Sequence, residues 1–295
     1  MSGYRMRPNS NKLNIGCGDH FHADWCNIDV RSTEPSVFEF DVRQGLPFAD
    51  DSFDVIYHSH VLEHLTNVDG ERLMSECRRV LRPGGVLRVV VPDLETIAAL
   101  YLEKLRRADL QKEESVADYQ WMKLELLDQM VRDDSGGSMG QYMANPNIVN
   151  SEFVTSRIGN EFWRCRPLHE CPHPIRDKQR RRVGERIRAS WQSIRETVAR
   201  KAARILLGRS GESALASGLF REQGEIHRWM YDRFSMNQLC SKLGFTQFRI
   251  CGPQSSAIPS FATYQLDTVD GIVRKPDSLF VECLKPLTMS VAKAA

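Results

Sequence analysis

The chain has 295 residues, room for one large domain or two modest ones. Hydrophobic residues at 41% and charged residues at 26% exclude a wholly disordered chain, and 19 Gly and 13 Pro without a period exclude a collagen-like one. Lys+Arg of 40 against Asp+Glu of 38 leaves a net charge of +2, which excludes a general polycation for nucleic acid but allows a local basic patch.

The first hundred residues alternate strands and helices. Lys12 to Ile15 reads as a short apolar strand running into Gly16-Cys17-Gly18. Trp25 to Val30 is a second strand carrying Asp29 at its end, and Val37 to Phe40 a third, ending at Asp41. Phe53 to Tyr57 is a fourth. Val86 to Val91 is a fifth, nearly all β-branched, bounded by Pro83-Gly84-Gly85 and Pro92. Continuous apolar runs of this kind suit strands buried on both faces. Asp29 comes only eleven positions after Gly18, so a first helix there must be short. Between strands four and five, Leu62, Leu65, Leu73, Cys77 and Val80 recur at helical spacing up to Pro83. Residues 101–225 are rich in Lys, Arg, Glu and Gln, with helical patterns and a loop at Asp134-Ser135-Gly136-Gly137. Ser235-Met236-Asn237-Gln238 resembles a capping box opening a helix that stops at Gly244. Phe245 to Cys251 and Asp277 to Leu284 are two further strands. The expectation is an α/β fold: a doubly wound, mostly parallel sheet of seven strands. Its core is 10–100 with 226–286, and the helical region 101–225 is inserted between strands five and six of one domain spanning 1–295.

No run of 18 apolar residues is present to span a membrane, and MSGYRMRPNSNKLNI lacks the apolar core of a secretory signal. Eight cysteines, at 17, 26, 77, 165, 171, 240, 251 and 283, form no CxxC. These features lead to an expectation of reduced thiols and a cytoplasmic setting.

A strand that runs into a Gly-rich turn lets backbone N–H groups approach a ligand closely. Gly16 and Gly18 permit that approach, but position 21 is Phe, so the GxGxxG dinucleotide fingerprint is incomplete. Asp29 suits two ribose hydroxyls, and Asp41 suits an adenine edge. LNIGCG, WCNIDV, DVRQGLPFADDSFDVIYHSHVLEHL and RRVLRPGGVLRVVVPDLE together resemble class I S-adenosylmethionine-dependent methyltransferases of the small-molecule type, which have a Rossmann-like fold. EIHRWMYDRFSMNQLCSKLGF is similar to members associated with bacterial surface-glycan synthesis. The resemblance implies S-adenosyl-L-methionine as cofactor. It places Gly16, Cys17 and Gly18 on the methionine part, Asp29 on the ribose, and Asp41, Val42 and Arg43 around the adenine. His58 and Ser59, just past strand four, come beneath the sulfonium. It also implies methylation of a small molecule or glycan, with a sugar hydroxyl as acceptor. A hydroxyl needs a base: His60, Glu63 and His64 are close in sequence to the cofactor residues, and His227 precedes the last helix with Arg228, Tyr231 and Asp232. The catalytic expectation falls on His64 and His227. The alternatives are a non-catalytic cofactor-binding scaffold and a nicotinamide-dependent dehydrogenase.

Two motifs look metal-binding and are not expected to be. His60 to His64 matches HxxEH, and His169-Glu170-Cys171-Pro172-His173 matches HExxH, but Pro172 breaks the helix the latter needs. A zinc knot of Cys165, His169, Cys171 and His173 fits no common spacing, so no metal is expected.

Residues 176–209 hold twelve Lys+Arg and three Asp+Glu, a local net of +9. Val183, Ile187, Trp191, Ile194, Val198, Ala202 and Ile205 step along one helical face. Such a basic amphipathic helix can lie on an anionic membrane surface, pack on the core, or wall a phosphate-bearing substrate. No nucleic-acid partner is expected.

Overall fold

The computed structural model describes residues 10–32, 34–159, 161–164, 166 and 183–287, the side chains of 164 and 183–194 excepted. The chain divides into two compact units: 1–96 with 228–295, and 97–227.

The first unit is a seven-stranded sheet. Its strands are β1 Lys12–Ile15, β2 Cys26–Asp29, β3 Val37–Glu39, β4 Phe53–Ser59, β5 Leu81–Pro92, β6 Thr246–Cys251 and β7 Ser278–Leu284. The order across the sheet is β3-β2-β1-β4-β5-β7-β6. The first five strands are mutually parallel, and β7 runs antiparallel to both β5 and β6. This is the expected Rossmann-like α/β fold: a mostly parallel sheet wound outward in both directions from β1.

Each face has its own cover. Leu13, Ile15, Ile28, Leu87, Val89 and Val281 pack with Leu73, Met74 and Cys77 of α1 (Asn67–Val80), and with Met236 and Cys240 of the later helix Arg233–Lys242. On the other face Trp25, Val55, Tyr57, Val90 and Phe280 pack under Ile258, Phe261 and Leu266. Arg88 is buried on that face. It bonds Asp267 at 2.8 Å and Glu282 at 2.8 Å, and donates to the carbonyls of Ser255 and Gly252 at 3.0 Å. A buried guanidinium is tolerable only with such complete pairing.

Several elements differ from the sequence expectation. No helix forms between β1 and β2. The connection is a series of turns held by buried amides: Asn14 Nδ2 donates to the His20 carbonyl at 3.2 Å, and Asn27 Nδ2 to the Trp25 carbonyl at 2.8 Å. Strand β5 starts at Leu81 and runs through Pro83-Gly84-Gly85 rather than beginning after them, because Arg82 to Gly85 bulge out of β5 between the Phe53–Leu81 and Val55–Val86 pairs, and the Gly84 N–H donates to the Lys285 carbonyl at 2.8 Å. Leu62 and Leu65 lie outside α1, which begins only after Thr66 caps the Asp69 N–H at 3.1 Å. The late capping box is formed by Asp232 with Ser235, so that helix starts at Arg233, and Gly244 follows its end with φ of +76°.

The second unit contains α2 Leu94–Ala108 (its first turn in the sheet unit), α3 Glu113–Val131, α4 Gly137–Ala144, α5 Ser151–Ile158, α6 Glu161–Arg164 and α7 Val183–Glu222. Buried Glu125 on α3 bonds the indole of Trp121 at 2.9 Å and pairs with Arg157 of α5, and Lys104 of α2 pairs with Asp118 of α3 at 2.8 Å. Helix α7 is broken at Gly208, where φ is +73°. The helix Arg233–Lys242 of the sheet unit is α8.

Candidate active site

The chain leaves β1 for β2 on one side, and β4 leads to β5 on the other, so the strand order reverses between β1 and β4. A crevice opens outside the carboxyl ends of parallel strands at such a point. Gly16, Cys17 and Gly18 form its β1 lip. The N–H groups of Gly16 and Cys17 both donate to the Ile28 carbonyl, at 2.8 and 3.3 Å. Gly16 has φ of +63°, and a Cβ there would stand 2.2 Å from Val61 Cγ2. Gly18 has φ of +51° and open space around it. The Cys17 thiol is buried. Burial, then the Asp29 charge, pushes its pKa up to about 12, which makes it a packing group and not a nucleophile.

Asp29 closes β2 beside this lip. One carboxylate oxygen accepts from the Gly18 N–H at 2.8 Å and the other from the Arg31 N–H at 3.1 Å. Each oxygen keeps further lone-pair capacity, so the carboxylate can accept a pair of ligand hydroxyls while held rigid. Asp41 caps a 3₁₀ turn of Val42, Arg43 and Gln44. It accepts from the Arg43 N–H at 3.0 Å and pairs with that guanidinium at 2.8 Å, which holds its pKa below the ordinary carboxylate value. These glycines and carboxylates stand at neighbouring strand ends on one edge of the sheet, and they fit a nucleoside-bearing cofactor: an open glycine backbone followed by two fixed carboxylates.

His58 and Ser59 lie inside β4, not past it, because the strand pairs with β5 as far as Ser59 opposite Val90. His58 is fully buried, and among the described residues neither ring nitrogen has a hydrogen-bond partner. Burial brings its pKa down to about 4, so the ring is neutral. Ser59, next along the strand, is half-buried.

The HVLEH segment is not the helix that the HxxEH protease motif requires. His60 is left-handed with φ of +54°, and Leu62–His64 is a single 3₁₀ turn. His60 Nε2 lies 2.9 Å from Ser278 Oγ, and Nδ1 lies 2.9 Å from Oε1 of fully buried Glu63. The Glu63 carbonyl accepts from the N–H groups of Arg228 and Trp229, at 2.7 and 3.2 Å. Tyr231 is buried nearby. Burial, then the Glu63 charge, raises its pKa to about 12. His64 is half-buried at the end of the turn. His227 belongs to the helical unit, where it is buried and its N–H bonds the Gln129 carbonyl at 2.8 Å. Cys165, His169, Cys171 and His173 lie outside the described residues. Val61 and Ser278 had no signal in the sequence: one is an ordinary apolar residue, the other stands 218 positions from its partner His60.

Residues 13–89 match a family model described as "Methyltransferase domain", a little over a quarter of the chain. A protein of Mycolicibacterium smegmatis described as a probable S-adenosylmethionine-dependent methyltransferase is 37% identical over 106 residues, 29% of this chain and 39% of that protein. One from Mycobacterium tuberculosis, described likewise, is 34% identical over 103 residues, 29% of this chain and 37% of its own length. The chain thus spans well under half the length of these curated relatives. Among solved structures, a SAM-dependent methyltransferase from Archaeoglobus fulgidus aligns at a TM-score of 0.35 and 10% identity, over 96% of this chain and 88% of that one. The N-methyltransferase NodS from Bradyrhizobium japonicum, solved with S-adenosyl-L-homocysteine, aligns at 0.25 and 21% identity, over 30% of this chain and 55% of that one. The matched residues run from β1 into β5 and include the carboxyl ends of β1, β2, β3 and β4; this segment is similar to S-adenosylmethionine-dependent methyltransferase domains.

Proposed function

We propose that the protein is an S-adenosylmethionine-dependent methyltransferase that acts on a small-molecule or glycan acceptor and methylates a sugar hydroxyl. The observation that carries this reading is that the segment matching the methyltransferase domain is the one lining the crevice between β1 and β4. In this reading Gly16, Cys17 and Gly18 hold the methionine part, Asp29 takes the ribose hydroxyls, and Asp41, Val42 and Arg43 line the adenine. His58 and Ser59 form the floor beneath the sulfonium. The bound cofactor supplies an activated methyl group. The protein's share is alignment, which contributes about 7–11 kcal/mol in well-oriented reactions, and removal of the hydroxyl proton. His64 and His227 are proposed for that proton. The helical region 101–225 is read as an insertion into one domain, with acceptor choice in its variable parts.

A glycan carried on lipid at the inner face of a membrane fits the basic region 176–209. Residues 176–182 and the side chains of 183–194 lie outside the described ones. Beyond them Val198, Ile205, Leu206 and Leu207 are exposed at 61, 82, 79 and 69%, with Arg200, Lys201, Arg204 and Arg209 around them. Apolar tips among cations suit a peripheral contact with anionic headgroups. Among the described residues no helix is long and apolar enough to cross a membrane.

Calorimetry with S-adenosylmethionine and with NAD tests the cofactor, and binding of NAD alone overturns the reading. A screen of nucleotide sugars and polyprenyl-linked sugars with methyl-labelled cofactor tests the acceptor. Vesicle binding should rise with anionic lipid, fall with salt, and weaken when Leu206 and Leu207 become Ser. No binding at low salt removes the membrane part.

A further inference from the structure

His60 occupies a backbone conformation that costs a side-chain-bearing residue energy, directly at the end of a core strand. Its N–H is fixed to the Val90 carbonyl at 2.9 Å, and the next residue, Val61, packs against Gly16 of the crevice lip. The imidazole is therefore presented at the crevice by a rigid strand end, with 15% of its side chain exposed. Its two nitrogens have unlike neighbours. Nδ1 stands 2.9 Å from a carboxylate oxygen of Glu63, whose side chain is wholly buried and whose main chain is held by Arg228 and Trp229. A carboxylate beside Nδ1 favours a proton there, which leaves the Nε2 lone pair outward. Nε2 is where the structure places a hydroxyl, the Ser278 Oγ at 2.9 Å, which in this tautomer donates to it.

We propose that His60, in place of His64 and His227, is the catalytic base, that Glu63 is its positioning residue, and that the acceptor group is a neutral hydroxyl which takes the place of Ser278 Oγ on Nε2. The proposal rests on the methyltransferase reading and deepens it. The acceptor O–H bond breaks and its proton passes to Nε2. The oxygen's electron pair forms the new bond to the methyl carbon, whose bond to the sulfonium breaks with its pair staying on sulfur. The positive charge so moves from sulfur to an imidazolium beside Glu63, and His60 then releases the proton to water. His58 also lies near Glu63 but is sealed from solvent, so it cannot exchange protons in this way. Other titratable groups around the pair are His64, with a ring nitrogen within 4.8 Å of a Glu63 carboxylate oxygen, Tyr231, which feels Glu63, and Asp277, adjacent to Ser278.

The test uses the full chain and the variants His60→Gln, Glu63→Gln and Ser278→Ala. Calorimetry with S-adenosylmethionine comes first: wild type that fails to bind it sinks the methyltransferase reading itself. The base is then read without turnover, by diethyl pyrocarbonate carbethoxylation of His60 followed by peptide mass spectrometry between about pH 5 and 8, since only an unprotonated ring nitrogen reacts. Ser278→Ala, which uncovers Nε2, should speed modification about fivefold, the equivalent of one hydrogen bond. Glu63→Gln should lower kcat while leaving the dissociation constant for S-adenosylmethionine unchanged, and Glu63→Asp should restore part of the loss. A His60 that stays unreactive in Ser278→Ala, or a kcat that Glu63→Gln leaves in place, overturns the proposal. In the labelled-methyl assay with pooled nucleotide sugars and polyprenyl-linked sugars, His60→Gln should lower kcat by about 10²–10⁴-fold, with the dissociation constant for S-adenosylmethionine unchanged. Retained kcat in His60→Gln refutes it.

Discussion

Replacing Gly16 and Gly18 by Ala separates backbone strain from steric contact at the crevice lip. Both glycines have positive φ, +63° and +51°. An Ala in that region costs roughly 1–2 kcal/mol at either position. The surroundings differ. A Cβ on residue 18 meets nothing within 4 Å, while one on residue 16 lands 2.2 Å from Val61 Cγ2, far inside contact distance. Overpacking this half-buried contact costs up to about 1–3 kcal/mol more, so Gly16→Ala should lose roughly 2–5 kcal/mol against 1–2 for Gly18→Ala. Val61→Ala removes the colliding methyls. In the double-mutant cycle of Gly16→Ala with Val61→Ala the coupling energy should be about 1–3 kcal/mol in favour of the pair. Urea unfolding midpoints at constant slope measure all four corners. Equal losses for the two glycine variants, or a coupling below about 0.5 kcal/mol, would refute the contact argument. Calorimetry on the same proteins should show weaker S-adenosylmethionine binding for Gly16→Ala than for the double variant.

Asp29→Ala should weaken S-adenosylmethionine binding at least tenfold without unfolding the protein, because it removes up to two charge-assisted bonds of about 1.5–3 kcal/mol each; an unchanged dissociation constant misassigns the carboxylate. Arg88→Met should destabilise the fold by roughly 3–5 kcal/mol in urea, since it leaves the buried carboxylates of Asp267 and Glu282 without their shared cation. His58 adds a pH slope of definite sign. Its folded pKa is about 4 against an ordinary 6.5, so between those values the unfolded chain binds more protons. Stability should therefore fall as pH drops from 6.5 towards 4, by roughly 3 kcal/mol in all, and His58→Leu should flatten that part of the profile. A wild-type slope that survives the replacement would assign the effect to other groups.

The parallel half of the sheet was legible because strands buried on both faces must be largely apolar, and LNI, FDVIY and VLRVVV each carry a single charged or amide residue. The glycines and aspartates at their ends were legible for a related reason: a parallel sheet brings successive strand ends to one edge. Local competition was harder to read. Asn14 and Asn27 gain more by bonding backbone in a tight connection than the chain could gain from a one-turn helix, so the expected first helix is absent. Asp232 outcompetes Ser235 as a cap because its carboxylate reaches the Ser235 N–H at 2.8 Å while the serine hydroxyl returns the bond. Contacts between distant positions were not legible at all. Nothing in HVLEH announces a serine 218 residues away, and Arg88 sits in a strand run that reads as apolar while its partners Asp267 and Glu282 come from the far end of the chain.

The place of β7 has a consequence for synthesis on the ribosome. This strand is made after β6 yet inserts beside β5, pairing seven residues from Val86–Leu284 to Pro92–Ser278. Roughly 190 residues separate the two strands, about 10–40 s of elongation at about 5–20 residues per second. Throughout that interval the nascent chain carries one complete edge of a hydrophobic sheet, Val89 to Val91, with its N–H and C=O groups unpartnered. Such an edge is a template for pairing with another chain. Shielding of that edge until residue 284 appears favours folding over pairing with another chain.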